Sequence, residues 1–274
     1  MKQTQWRIQA KKADFEAIGA EFGISPVTAR LIRNRNVTGS ESINRYLNGK
    51  IDALCDPMLL PDMEKALLLL KQKIEEGKPI RIVGDYDIDG ICSTYLLYHA
   101  LCRVGARVDY EIPDRIKDGY GINASIIEAA AEDGIDTILT CDNGISAIDQ
   151  ARLAKDLGMT MIITDHHDIR QDESGGDLLP AASAIVNPKR RDSAYPYPEI
   201  CGGMVAYKLV KGLYQLFSVP EAEWEELIEF AALATVGDVM KLQDENRIVV
   251  KEGLKHIART QNLGLRKLIE KNNL

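Results

Sequence analysis

Residues 81–93 read RIVGDYDIDGICS, a short apolar run and a glycine followed by aspartates at 85, 87 and 89. The apolar run has the length of one strand, and ICSTYLLYHALCRVG (91–105) has the length and apolar content of a helix. The same alternation continues outward through RVDYEIP (107–113), ASIIEAAAEDG (124–134), DTILTCD (136–142), SAIDQARLAKDLG (146–158), MTMIITD (159–165) and SAIVNP (183–188). Strands that read as continuous apolar runs joined by helices predict a parallel sheet covered on both faces. The expected fold is therefore α/β, a doubly wound and mainly parallel sheet preceded by a small helical segment.

Upstream, the stretch from Asp14 to Gly49 is amphipathic with helical spacing, and MEKALLLLKQKIEEG (63–77) is a longer helix ending at a glycine. Downstream of Gly202 and Gly203 the pattern turns largely helical, through MVAYKLVKGLYQLF (204–217) and EWEELIEFAALATVGDVM (223–240). The organisation expected is a helical preface over 1–50, a catalytic domain over 51–245 and the start of a connecting helical segment over 246–274.

Composition excludes several classes. Apolar residues at 45% and charged residues at 27% are those of a globular chain, not a disordered one. A net charge of −7 argues against a nonspecific nucleic-acid coat, which needs clustered Lys and Arg, although it averages over an acidic site beside a basic groove. The five cysteines form no CxxC pair and lie mostly in apolar stretches, so they read as reduced core thiols. No signal-peptide core and no run of about 18 apolar residues occurs, so the expectation is a soluble, cytoplasmic protein without a membrane partner.

In open parallel sheets ligands bind outside the carboxyl ends of the strands. Three predicted strands end in chemistry: Asp85, Asp87 and Asp89 after the first, Asp142 and Asn143 after another, and Asp165, His166, His167 and Asp168 after a third. Taken singly, an aspartate after a strand is as well read as the N-cap of the next helix, and DHHD as a solvated loop. Together they bring carboxylates and imidazoles to one sheet edge, where like charges stay ionised only beside a cation. An oxygen-rich set with one or two imidazoles suits Mn²⁺ or Mg²⁺ better than structural zinc, and so many carboxylates suit two ions, which can clamp both oxygens in phosphoester hydrolysis.

Substrate contacts have weaker signals. PDRIKDGYG (113–121) offers Arg115, Lys117 and Tyr120, and NPKRR (187–191) offers Lys189, Arg190 and Arg191, with a solvated basic loop as the equal alternative. Gly202 and Gly203, opening a helix, form either an anion site or a close packing contact. Asp238 lies in the apolar run FAALATVGDVMKL (230–242), so it is either a ligand from outside the sheet or a helix-terminal cap.

GDYDIDG, CDNGIS, TDHHD and ATVGDVMKL, in this order and separation, resemble the four motifs of the DHH phosphoesterase superfamily, specifically its RecJ-type single-strand-specific exonucleases. DPMLLPDMEKALLLL, PDRIKDGYG and CGGMVAYKL also resemble segments of that group, so the resemblance covers nearly the whole chain. It implies a two-metal, Mn²⁺-preferring 5′ to 3′ exonuclease on single-stranded DNA in repair and recombination, with single-strand-binding protein or a helicase as partners. By position, Asp87, Asp89, Asp142, His166 and Asp238 resemble metal ligands, with Asp142 bridging. His167 resembles the histidine facing the scissile phosphate and Asp165 its support; the expected substrate contacts, from the residues themselves, are Arg115, Tyr120, Asn143, Lys189, Gly202 and Gly203.

Two departures accompany the resemblance. Many relatives carry a ligand histidine four residues before the first paired aspartate, where this chain has Val83, which leaves Asp85 as a substitute or one metal site open. Complete RecJ-type proteins continue into a second domain with a glycine-rich phosphate motif, which nothing after Asp238 resembles, so the expectation is a fragment. Two other readings use the same residues: a phosphodiesterase for short oligonucleotides or cyclic dinucleotides, and a noncatalytic DHH-like scaffold.

Overall fold

The structure, a computed structural model, describes residues 11–116 and 121–273. The chain forms two compact units divided between Ala53 and Leu54.

The first unit carries α1 (Phe15–Phe22), α2 (Pro26–Asn34) and α3 (Ser40–Asn48). Local chemistry sets the first two boundaries. Asp14 accepts from the Ala17 amide and Ser25 from the Thr28 amide, each capping a helix start, and Pro26 fits the first helical turn, where no amide donor is needed. Ile32, Ile43 and Tyr46 form the core of this unit, with Ile18, Phe22 and Leu47 packed against them.

The second unit is built on a five-stranded, all-parallel sheet in the order β2-β1-β3-β4-β5. Its strands are β1 (Ile80–Val83), β2 (Val108–Glu111), β3 (Thr137–Cys141), β4 (Thr160–Thr164) and β5 (Ala184–Val186). In register, Ile82 pairs with Leu139 and Leu139 with Ile162. All three are fully buried, which is worth about 1.5–3 kcal/mol apiece. Helices α4 (Met63–Glu75), α5 (Ile88–Arg103) and α8 (Gly202–Leu216) pack on the sheet, α4 against β5, α5 against β1 and β3, and α8 against β3 and β4. On the other side, α6 (Ala124–Glu132) and α7 (Ile148–Asp156) share a core with Val83, Ile138, Ile163 and Ile185. Beyond α8 come α9 (Glu221–Glu226), α10 (Ile228–Gly237), α11 (Asp244–Ile257) and α12 (Leu263–Asn272).

The doubly wound parallel sheet expected from the apolar runs is the fold observed. Because strand order reverses direction beside β1, the crevice between the carboxyl ends of β1 and β3 is the topological switch point, where open α/β sheets bind ligands.

Several local expectations change. The run 223–240 is two helices, α9 and α10, and α10 stops at Gly237, so Asp238 sits half-buried at a helix end. The helical path ends there, and the next residue, Val239, has a φ of 54°, outside the right-handed region. All five cysteines are free thiols, but only Cys92, Cys141 and Cys201 are buried; Cys55 is half-buried and Cys102 exposed on α5. Among the described residues, no helix is long and apolar enough to cross a membrane.

Candidate metal centre

β1 delivers its aspartates through a tight strand-to-helix turn. Asp87 caps α5, its Oδ1 accepting from the Gly90 amide at 2.9 Å, and the helix then carries Asp89 in its first turn. A Cβ at Gly90 would stand 2.4 Å from the Asp85 carbonyl oxygen, so only glycine lets the helix start this close to the strand end. Asp85 is buried, and among the described residues neither of its carboxylate oxygens meets a hydrogen-bond donor of ordinary geometry.

Asp142 follows β3 with φ 60°, and its amide still donates to the Thr164 carbonyl on β4. This left-handed turn is uncommon for a non-glycine residue and tolerated best by Asp and Asn. Asp142 is 1% exposed, and among the described residues its Oδ1 makes no ordinary hydrogen bond. A Cβ at Gly202 would fall 2.6 Å from the Asp142 Cβ, so the start of α8 closes over it.

β4 supplies Asp165, His166 and His167. The Asp165 carboxylate accepts from the amides of Ile145 (2.8 Å), His166 (2.7 Å) and His167 (3.1 Å), and its Oδ1 lies 2.7 Å from His167 Nδ1. His166 reaches inward instead: its Nε2 is 3.1 Å from Asp142 Oδ1, 3.5 Å from Asp89 Oδ2 and 3.7 Å from Asp238 Oδ2. His166 Nδ1 is buried and has no hydrogen-bond partner among the described residues.

These side chains make three overlapping sets of potential ligands: Asp85, Asp87 and Asp142; Asp142, His166 and His167; and Asp89, His166 and Asp238. Within each set one atom per residue lies within 4.8 Å of the others. The electrostatics agree. Burial, then Asp89 and Asp165 nearby, push the Asp142 carboxyl up to about 11. Burial likewise raises Asp85, with Asp87 adding, and raises Asp238 against the opposing pull of His166. Burial pulls His166 below its ordinary range. Burial also opposes ionisation of Asp165, but the His167 ring and the amides of Ile145 and His167 outweigh it and hold its pKa low. The same hydrogen bond raises His167. Carboxyls that would otherwise retain protons, beside orphaned oxygens and an orphaned imidazole nitrogen, fit a cation-binding centre.

The expected substrate contacts fare differently. The Gly202 and Gly203 amides donate to Asp89 Oδ2 and Oδ1, both at 2.7 Å, so this helix N-terminus holds a carboxylate of the cluster and not a substrate anion. Asn143 is buried and donates to the carbonyls of Val83 (3.0 Å) and Cys141 (2.9 Å), bracing two strand ends. Lys189 pairs with Asp168 at 2.8 Å. Arg190 is tied to Asp62, Asp192 and the Ile185 carbonyl, which makes it a brace for β5. Arg115 is exposed, its guanidinium 5.2 Å from the ring centre of Tyr86. Lys117 and Tyr120 lie outside the described residues. Tyr86, between Asp85 and Asp87, was not singled out by the motif; an aromatic inside an acidic turn was the available signal.

The model of the DHH family, N-terminal domain, matches residues 79–237. The chain belongs to the DHH family. Single-stranded-DNA-specific exonuclease RecJ of Bacillus subtilis (strain 168) is 38% identical over 267 residues, covering 97% of this DHH chain and 32% of that protein. A crystal structure of exonuclease RecJ bound to manganese matches with TM-score 0.69 and 33% identity over 80% of this chain and 53% of the other. That of RecJ in complex with Mn²⁺ from Thermus thermophilus matches with TM-score 0.75 and 28% identity over 94% and 35%. This DHH chain thus spans about a third to a half of the length of these relatives.

Proposed function

We propose that this chain is the metal-binding catalytic core of a RecJ-like exonuclease that hydrolyses single-stranded DNA from its 5′ end. The observation that carries the reading is the overlap of the ligand sets on Asp142 and His166 at the switch point of the sheet. Asp85, Asp87 and Asp142 would hold one divalent ion, and Asp89, Asp142, His166 and Asp238 a second, with Asp142 common to both. Asp85 thereby supplies the ligand that the buried Val83 does not. Manganese is favoured because the set mixes carboxylate oxygens with imidazole nitrogen. Such a pair supplies an activated water and charge neutralisation at phosphorus.

The protein's own groups have distinct tasks. Asp165 fixes His167 through Nδ1 and raises its pKa, so a protonated His167 would donate through Nε2 to a phosphate oxygen as negative charge builds. The Gly202 and Gly203 amides orient Asp89. Arg115 on the Tyr86 ring would receive the strand beside the centre. Release of mononucleotides from a long 5′-phosphorylated single strand with added Mn²⁺ is the expected result. Hydrolysis of a dinucleotide but not of the long strand would replace this reading with that of a short-oligonucleotide phosphodiesterase.

A further inference from the structure

A buried ionic group lies outside the metal cluster. Lys208, on α8, is fully buried, and its ammonium donates to Glu245 Oε1 and the Cys55 carbonyl, both at 2.6 Å. Glu245, equally buried in the first turn of α11, also accepts from the Cys55 amide at 2.5 Å and from the Tyr195 hydroxyl. The neighbouring Asn246 is buried too, and its Nδ2 donates to the carbonyls of Glu199 (2.6 Å) and Lys241 (3.1 Å). A buried ion pair is a poor source of stability compared with apolar packing, so its position in the fold is the more informative feature.

Both ends of that position lead to the cluster. Glu199 precedes the start of α8, where Gly202 and Gly203 hold both oxygens of Asp89. Lys241 belongs to the short turn between α10 and α11, whose first residue is Asp238. That turn includes the strained Val239, and strain of this kind persists only where surrounding contacts impose it. Asp89 and Asp238 both come from helices, the first turn of α5 and the end of α10, so their spacing depends on how α5, α8 and α10 pack on one another.

We infer that Glu245 and Asn246 act as a positioning clamp that holds the Asp238 turn against the start of α8 and so sets the distance between Asp89 and Asp238 across His166. The inference rests on the reading of Asp89, His166 and Asp238 as metal ligands; Lys208, Glu245 and Asn246 belong to none of the ligand sets described above.

Two measurements on the full chain test it. The first is amide exchange at Gly202, Gly203 and Met240 without metal; the second is Mn²⁺ affinity by electron paramagnetic resonance. Asn246→Ala should accelerate exchange at Gly202 and Gly203 and weaken Mn²⁺ binding by about tenfold, the usual effect of losing a group that orients a ligand, with its thermal unfolding cooperative. Lys208→Met combined with Glu245→Leu replaces the pair by apolar volume and should do the same. Glu245→Gln, whose single amide oxygen can still accept from both Lys208 and Cys55 while its NH2 group faces the Tyr195 hydroxyl, should keep affinity close to that of the unmodified chain. If the double variant does not fold, Asn246→Ala and Glu245→Gln decide. Unchanged exchange in Asn246→Ala, or faster exchange with unaltered Mn²⁺ affinity, overturns the clamp. Failure of the unmodified chain to bind Mn²⁺ overturns the metal reading instead, and the exchange data still judge the clamp.

Discussion

Asp142→Asn tests the charge argument most directly. In the metal-free chain the Asp142 carboxyl is pushed up to about 11 from 3.8, with burial the main cause and Asp89 next. A carboxyl whose folded pKa is raised binds its proton more tightly folded than unfolded. Its contribution is therefore fully favourable below pH 3.8 and declines as pH rises towards about 11. The slope is up to about 1.4 kcal/mol per pH unit, so about 4 kcal/mol is lost by pH 7 relative to acid. Asn keeps the shape and has no such loss. In urea titrations with EDTA, the stability advantage of Asp142→Asn should widen steadily between pH 5 and pH 8. Adding Mn²⁺ at about 100 times Kd should then stabilise the unmodified chain by about 2.7 kcal/mol and leave the variant nearly unmoved. Parallel pH profiles in EDTA, or unaltered Mn²⁺ stoichiometry and affinity in the variant, would refute the view of Asp142 as a shared anionic ligand.

Three further outcomes are expected. Gly202→Ala places a Cβ 2.7 Å from Asp142 Oδ1 and should lower Mn²⁺ affinity at least about tenfold by calorimetry; wild-type affinity would show that α8 does not confine Asp142. Asp165→Asn removes the partner that raises His167, so the His167 resonance followed by NMR in metal-free protein should titrate at lower pH, and an unmoved midpoint would exclude the pairing. Val239→Gly relieves a left-handed β-branched residue that is 86% exposed and should stabilise the chain by about 1 kcal/mol in urea unfolding, with destabilisation the contrary result.

The fold was legible because its signals are local. Continuous apolar runs such as TILTC and TMIIT are what strands buried on both faces require, and all five expected strands form. The convergence of Asp85, Asp142 and His166 followed from parallel strands ending together. Local spacing, however, carries no information on what an amide or a guanidinium meets across the fold. Gly202 and Gly203 looked like an anion site and are one, but the anion is Asp89, brought there by α5 packing on α8. Arg190 looked like a phosphate contact until Asp62 reached it from the start of α4.

The sequence by itself determined the parallel sheet and the acidic residues at its carboxyl edge, because strand length, apolar continuity and the residue after each strand are read one segment at a time. Only the tertiary structure showed that Asp85 turns into the cluster beside Asp87 and Asp142 while Val83 packs into the core with α6 and α7, because both placements depend on contacts outside their own segment. It also decided that Asp238 ends a helix held by α8 and α11, a placement that arises from contacts between elements distant in the chain.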